Sequence, residues 1–395
     1  MGYVIRSNVK IALKEETTEG TYIAPASGAD FVQALKDGES LEITREKVER
    51  NVFNGSVGQA TARHGEVGVN GAIPIELKAN GTEGAEPEAS VAFESAFGAK
   101  RSAVTKTASD ADGGTHSDTV ICFEDADASN FAVGDVVMTK RSGAYHVSPI
   151  TAVSNAAGDV NITLLIADPA GAYVDGIEVS AVSTYYPADS GHPSYSVSKY
   201  LEDAVAVKAW GCKTTSLSIE GVTTYGLGSF NIGYEGADGE RAVSALPYTP
   251  TYDSALPPVI VNACAYQDTT LLEINELTLN LTNELAWIKD TCNGKKSSRV
   301  ANRTVTGTID PYTSDSDVNN WTKFNAQTPF SLFVAAKVPT GTSGEYSDVV
   351  AFYAPNCVIS AMADGDQDGA MKDVLTFDAD KGSASDKTEL YMSFI

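Results

Sequence analysis

The sequence predicts a mainly β protein: two tandem copies of one β-sandwich or barrel unit, each with a flanking helix, plus a small β domain inserted in the first copy. Three observations predict it. Apolar residues alternate with polar or small ones along most of the chain, the period of a strand with one buried face. Residues 41–76 (LEITREKVERNVFNGSVGQATARHGEVGVNGAIPIE) and 279–310 (LNLTNELAWIKDTCNGKKSSRVANRTVTGTID) share that alternation, a central Asn-Gly and a V-x-G-x-I strand. The closing segments match too. GCKTTSLSIEG leading to NIGYEGADG (211–239) is echoed by NCVISAMADG leading to VLTFDADKG (356–382), which sets Cys212 opposite Cys357, Tyr234 opposite Phe377 and Glu235 opposite Asp378.

The first copy takes residues 1–100 and 190–245. Its opening strands are marked by Leu41 and Ile43, then by Val67, Val69, Ile73, Ile75 and Leu77. A helix is expected over residues 86–97, where Ala89, Ala92, Phe93, Ala96 and Phe97 recur at helical spacing, Pro87 lies near the first position and Gly98 just past the end. Residues 101–189 read as the insertion, because the second copy passes almost directly from its helix to TPFSLFVAAK while the first reaches the comparable HPSYSVSKY only after a long detour. That detour has a Ser/Asp/Gly-rich entry and short β runs (VICFED, FAVGDVVMTK, VSPITAV, VNITLLI, YVDGIEVSAV) divided by turn signals such as Ala157-Gly158-Asp159. Strands around Leu217 and Ile219, then Phe230, Ile232 and Tyr234, complete the first copy. Residues 246–270, rich in proline, read as an extended connector. The second copy, 271–395, has strands at Leu277, Leu279 and Leu281 and at Leu375 and Phe377, with a short helix around Val318, Trp321 and Phe324 ending before Pro329. The alternation predicts antiparallel sheets with one polar face.

Fifty-two acidic against 28 basic residues give a formal charge of -24, which repels a DNA duplex and argues against tight nucleic-acid binding. It is compatible with a surface past which DNA slides, and equally with simple solubility. The amino-terminal segment reaches charged residues too early for a signal-peptide core and no run matches a membrane span, so a cytosolic setting is expected. Five well-separated cysteines, Cys122, Cys212, Cys264, Cys292 and Cys357, form no C-x-x-C pair and read as buried thiols. Asp364, Asp366 and Asp368 form a D-x-D-x-D-G run that could offer oxygens to calcium, but the twelfth position of an EF-hand loop is Leu375, so an acidic turn between strands is the expectation and no cofactor is implied. His64, His116, His146 and His192 are scattered, and no nucleophile elbow or phosphate loop occurs, so no enzyme is predicted.

Within this acidic chain two long inter-strand segments are basic. Residues 45–66 carry Arg45, Lys47, Arg50 and Arg63; residues 284–303 carry Lys289, Lys295, Lys296, Arg299 and Arg303. Such segments are either solvated loops or arms that reach an acidic surface on a neighbouring subunit, where complementary charge fixes register.

The ordered series LEITREKVERNVFNG, VNGAIPIELKANGTEG, EPEASVAFESAFG, GHPSYSVSKY, GCKTTSLSIEG and LGSFNIGYEGADG resembles the major tail tube proteins of long-tailed bacteriophages, most closely in the first copy. The resemblance implies a tail-tube-type unit whose sheets join between subunits into an inner barrel, with six units per ring, rings stacked into a hollow tail and genomic DNA passing through the lumen without tight binding. It implies a virion component assembled in the host cytoplasm, with the tape-measure protein and tail tip or terminator proteins as partners besides the chain itself. The two basic segments match the family's inter-ring stacking arm. With two units per chain, three chains would close a trimeric, pseudo-hexameric ring. Glu42, Glu66, Glu76, Glu220 and Glu235, with Asp310 and Asp378, lie on or beside the polar strand faces and are the lumen candidates; the insertion is expected on the outside. Two other readings share the composition: an adhesin or carbohydrate-binding module using Tyr185, Tyr186, Tyr195 and Tyr200 as a platform, and a capsid decoration protein.

Overall fold

A computed structural model describes residues 8–50, 52, 61–109, 115–141, 143–156, 159–223, 225–258, 264–291, 294–313, 319–340, 342–382 and 388–395. The first copy opens with β1 (Val9–Glu15), β2 (Phe31–Val32), β3 (Ser40–Val48), β4 (Arg63–Glu76), helix α1 (Ser90–Phe97) and β5 (Gly98–Ala103). The insertion holds β6 (Lys106–Thr107), β7 (Val120–Glu124), β8 (Val136–Lys140), β9 (His146–Ala156), β10 (Asp159–Leu164) and β11 (Glu178–Val179). The chain returns through β12 (Val182–Pro187), β13 (Tyr195–Leu201), β14 (Val205–Thr223), β15 (Ser229–Gly236) and β16 (Asp238–Val243). The second copy comprises β17 (Cys264–Gln267), β18 (Thr270–Leu272), β19 (Ile274–Asp290), β20 (Gly294–Pro311), helix α2 (Asn319–Ala326), β21 (Phe330–Pro339), β22 (Tyr346–Gln367), β23 (Ala370–Ala379) and β24 (Tyr391–Phe394). The protein is mainly β and every strand pair is antiparallel among the described residues.

Eight strands form one continuous run in the order β3-β4-β15-β14-β19-β20-β23-β22. Its first four strands come from the first half of the chain, here still called the first copy, and its last four from the second half, in the same internal order, and the halves meet where β14 pairs with β19. The likeness extends to irregularities. β14 has a bulge between Thr214 and Ser216 against β15, and β22 has one between Ile359 and Ala361 against β23. Gly71 pairs with Tyr234 and Gly307 with Phe377. In both places the glycine leaves room for the aromatic ring, since an added Cβ would stand 2.2 Å from Tyr234 and 2.4 Å from Phe377.

One face of this run carries Val69, Ile73, Leu217, Ile219, Ile232, Leu279, Leu281, Val305, Ile309 and Leu375, all buried in the main core. Across that core lies an outer sheet containing β21, the first half of β22, β24, β12 and β5. Its residues alternate between two cores: Leu332, Val334, Val350 and Phe352 face the main core, whereas Phe333, Ala335, Val349, Ala351 and Tyr353 join Val136, Met138 and Val147 of the insertion in a second one. This sheet therefore has no polar face here, unlike the expectation, because the insertion covers it; the unbroken apolar run FVAA of β21 is the sequence sign of two-sided burial. A third core, including Ile121, Phe123, Val160 and Ile162, lies within the insertion. The six-stranded insertion sheet spans Lys106–Val179, narrower than the expected 101–189, because β5 and β12 on either side pair with each other in the outer sheet.

Helix α1 starts at Ser90, later than the pattern suggested, after a turn in which Ser90 N–H donates to Pro87 O; it ends as expected on Gly98 with φ +96°. Phe93 and Phe97 are fully buried against the sheets. Helix α2 is its counterpart and ends on Gln327 with φ +50°; Val318 lies outside the described residues. The proline-rich connector is tied down through residue 253: Asp253 N–H donates to Glu88, Asp253 accepts from Glu88 N–H (3.0 Å) and Asn80 (2.7 Å), and Thr251 N–H donates to Gly28 O (2.9 Å).

Candidate functional site

The polar face of the eight-stranded run is the surface that the fold leaves open. Because side chains alternate, the residues between the buried ones point away from the core. They are small or acidic: Glu42, Asn70, Glu76, Ser216, Ser218, Glu220, Asn231, Glu235, Thr278, Asn280, Thr304, Thr306, Thr376 and Asp378 are exposed or half-buried. Glu42, Glu76, Glu220 and Asp378 form no ion pair among the described residues. The face thus presents hydroxyls, amides and uncompensated carboxylates.

Three of the predicted lumen residues are engaged. Asp310 is buried, pairs with Lys372 and accepts from the N–H groups of Asn275 (3.0 Å) and Glu276 (2.6 Å), so it fixes the start of β19 instead of facing solvent. Glu66 receives Lys289 at 2.6 Å and Lys295 at 3.5 Å; the hydrogen bond from Lys289 holds its carboxyl below the usual range. Glu235 accepts from the indole N–H of Trp287 at 3.3 Å.

These contacts change the reading of the second basic segment. Instead of an open loop, β19 and β20 remain paired from Leu285↔Val300 to Asp290↔Gly294, and the hairpin lies back across the first copy. Lys295 sits over the Trp287 ring at 4.6 Å, Ser298 N–H donates to Glu19 (2.6 Å) and Lys213 donates to Ser298 O (2.6 Å). Leu285 and Trp287, continuing the alternation of Leu279 and Leu281, were the available sign of strand continuation. Arg303 belongs to the joint between copies: its guanidinium donates to Phe97 O (3.2 Å), Ala188 O (3.1 Å) and Glu389 (3.0 Å), and its side chain is 8% exposed. Arg299 is exposed, the side chain of Lys296 and all of Cys292 lie outside the described residues. On the first arm Arg45, Lys47, Arg50 and Arg63 are exposed, and among the described residues Lys47 pairs with the exposed Glu49. Residues 51 and 53–60 lie outside the described residues.

The eight-stranded run has an open edge at each end among the described residues. β3 pairs with β4 on one side only, and Val358–Gln367 of β22 pairs with β23 on one side only. They are the counterparts of β19 and β14, which pair with each other inside the chain.

The calcium-like run is the β22–β23 hairpin. Gln367 pairs with Ala370 across Asp368 (φ +52°) and Gly369 (φ +89°), the backbone of a tight two-residue turn. No three ligand groups converge among the described residues. The tyrosine platform is absent as a surface: Tyr185, Tyr195 and Tyr200 are buried, and Tyr186 is half-buried beneath Arg101.

No curated protein matches this chain. A family model described as "Phage tail tube protein" matches residues 6–379, nearly its whole length. The protein belongs to the phage tail tube protein family.

Proposed function

We propose that three copies of this chain close a ring in which the eight-stranded polar face lines a bore, and that rings stack into the hollow tail of a long-tailed phage through which the genome passes during ejection. The protein is a structural component of the virion tail and not an enzyme. The observation that carries the ring is the joint inside the chain. β14 and β19 pair as Ser216↔Thr282, Leu217↔Leu281 and Ile219↔Leu279. Transferred to the two open edges, this register pairs Ala361 with Thr44 of the next subunit and Met362 with Ile43 of the next subunit. Each chain then offers one edge and accepts another, a heterologous contact that closes after three chains. Closure also removes the exposed strand edges, which would otherwise invite uncontrolled pairing.

Between the arms, a bore face bearing Glu42, Glu76 and Glu220 among serines, threonines and asparagines gives phosphates no cation to hold, so little counterion release favours adhesion; Glu235 and Asp378 stand at its edge, beside the basic segments. The insertion lies beyond the outer sheet, on the far side of the main core from this face, which supports an outward position. The exposed arm residues Arg50 and Arg299 are left for stacking between rings, and the family resemblance supports tape-measure and tail tip or terminator proteins as further partners, with assembly in the host cytoplasm. The test is a cross-strand disulfide: Thr44→Cys with Ala361→Cys, in a background with Cys264 and Cys292 replaced by serine, followed by non-reducing electrophoresis. The expected products are crosslinked dimers and trimers with nothing larger. A ladder running past the trimer, or no crosslink in assembled protein, contradicts the ring.

A further inference from the structure

The internal joint also has a second layer of contacts, beyond the paired strands. The β19–β20 hairpin crosses the ends of β14, β15 and β4, where Trp287 bonds Glu235 and two lysines bond Glu66. The corresponding ends in the second copy are those of β22, β23 and β20. There the surface opens into a groove of about 860 Å³ lined by Ile359, Asp378, Asp380, Gln327, Asp189 and Lys381, among others. Glu389 also borders the groove but is held by Arg303. Four carboxylates (Asp189, Asp378, Asp380 and Glu389) against Arg303 and Lys381 leave the groove net acidic, and it stands where the first copy is covered by a basic hairpin.

We propose that this groove is the socket for the basic arm of a second copy of this chain, residues Arg45, Lys47 and Arg63, within the ring. The proposal rests on the ring reading and adds a contact that strand pairing alone does not require. Three observations favour this occupant. First, Arg45 pairs with Val67 as Asn283 pairs with Arg303, so Arg45 holds the place of Asn283 on the face that carries Leu41 and Ile43. Asn283 donates to Ala96 O (2.9 Å) at the end of α1 and to Thr214 O (3.1 Å). Matching the helix ends at Gly98 and Gln327, and the bulges at Thr214 and Ile359, places Arg45 of the next subunit beside Asn325 O and Ile359 O. Second, a cation is favourable at a helix C-terminus. Arg303 supplies one to the end of α1 from within the chain; in α2 the last turn carries Lys323, which is held by Asp268, and the position matching Arg303 is Val67, so no guanidinium reaches its last carbonyls among the described residues. Third, Arg45, Lys47 and Arg63 are exposed, and charge complementarity with Asp378 and Asp380 would fix the register of the incoming chain.

Two variants test the socket, each checked by circular dichroism and thermal melting for an intact fold. Asp378→Lys with Asp380→Lys reverses the groove, and Arg45→Glu with Lys47→Glu reverses the arm. Each is expected to raise the protein concentration needed for assembly, read by sedimentation and electron microscopy, at least tenfold, and the chain carrying all four changes is expected to recover most of that loss. Carbodiimide coupling of assembled native protein gives a readout that needs no variant: Lys47 should be joined to Asp378 or Asp380 of another copy. Wild-type assembly by both folded charge-reversal variants, or absence of that coupling in tubes whose Thr44–Ala361 disulfide forms, overturns the socket and leaves the ring standing. Failure of the disulfide itself overturns the ring reading.

Discussion

Replacing Arg303 separates a joint residue from an arm residue. Its guanidinium makes two bonds to main-chain carbonyls at the end of α1 and one to Glu389, and the two side chains are only 8% and 15% exposed. Arg303→Met preserves the apolar stem but strands two carbonyls and a half-buried carboxylate. Removing one partner of such a pair costs about 3–5 kcal/mol, and water reaching the Glu389 edge places the expected loss near the lower end, ~3 kcal/mol. Urea unfolding of unassembled protein measures it as a lower midpoint at unchanged slope. Arg299→Met, on the exposed strand surface nearby, should shift stability by less than about 0.5 kcal/mol. Arg303→Met combined with Glu389→Leu should recover most of the loss, since a matched apolar pair leaves no buried charge. Wild-type stability in Arg303→Met together with failed stacking would refute the joint assignment and return Arg303 to the arm.

Further outcomes follow from the repeated geometry and from burial. Gly71→Ala and Gly307→Ala should each destabilise by about 1–3 kcal/mol, because both Cβ atoms collide with a core ring; thermal melts in which only one is affected would break the equivalence of the two copies. Burial, with the Glu88 carboxylate adding to it, pushes Asp253 up to about 6. Since the folded value lies above the unfolded one, its favourable contribution is complete below about pH 4 and is lost as pH rises through 6. A carboxyl carbon NMR titration should find that midpoint, and a midpoint near 4 would mean that the connector is not held against Glu88. Burial also pushes the Cys212 and Cys357 thiols up, so neither should react with iodoacetamide until the protein unfolds; rapid labelling of the native chain would contradict their place in the core.

What alternation records is which face of a strand is buried, and that much was legible. The matched V-x-G-x-I strands, the Gly98 stop and the Asp368-Gly369 turn all rest on local backbone preferences. Alternation does not record what covers a face or joins an edge. Leu285 and Trp287 looked like part of a loop because Lys289, Lys295 and Lys296 surround the Asn-Gly, yet Glu235, which accepts from Trp287, and Glu66, which accepts from Lys289, lie more than fifty residues away. Arg303 and Asp310 are ordinary charged residues in sequence, and only the arrival of Glu389 and Lys372 makes them structural. The prolines suggested an extended connector but not what holds it: Asp253 and Glu88 each accept the other's backbone N–H. Glu42, Glu76, Glu220 and Asp378 stand on the polar face because each falls within a paired strand, where the period alone sets a side chain's direction.

A cross-section of assembled tubes by electron microscopy tests the central claim most directly. The account predicts an inner barrel of eight strands from each of three chains, near sixfold in its wall, with three outer projections at the insertions and the face bearing Glu42, Glu220 and Asp378 toward the bore. Six chains per ring, or a bore lined by the face bearing the insertion, would contradict it.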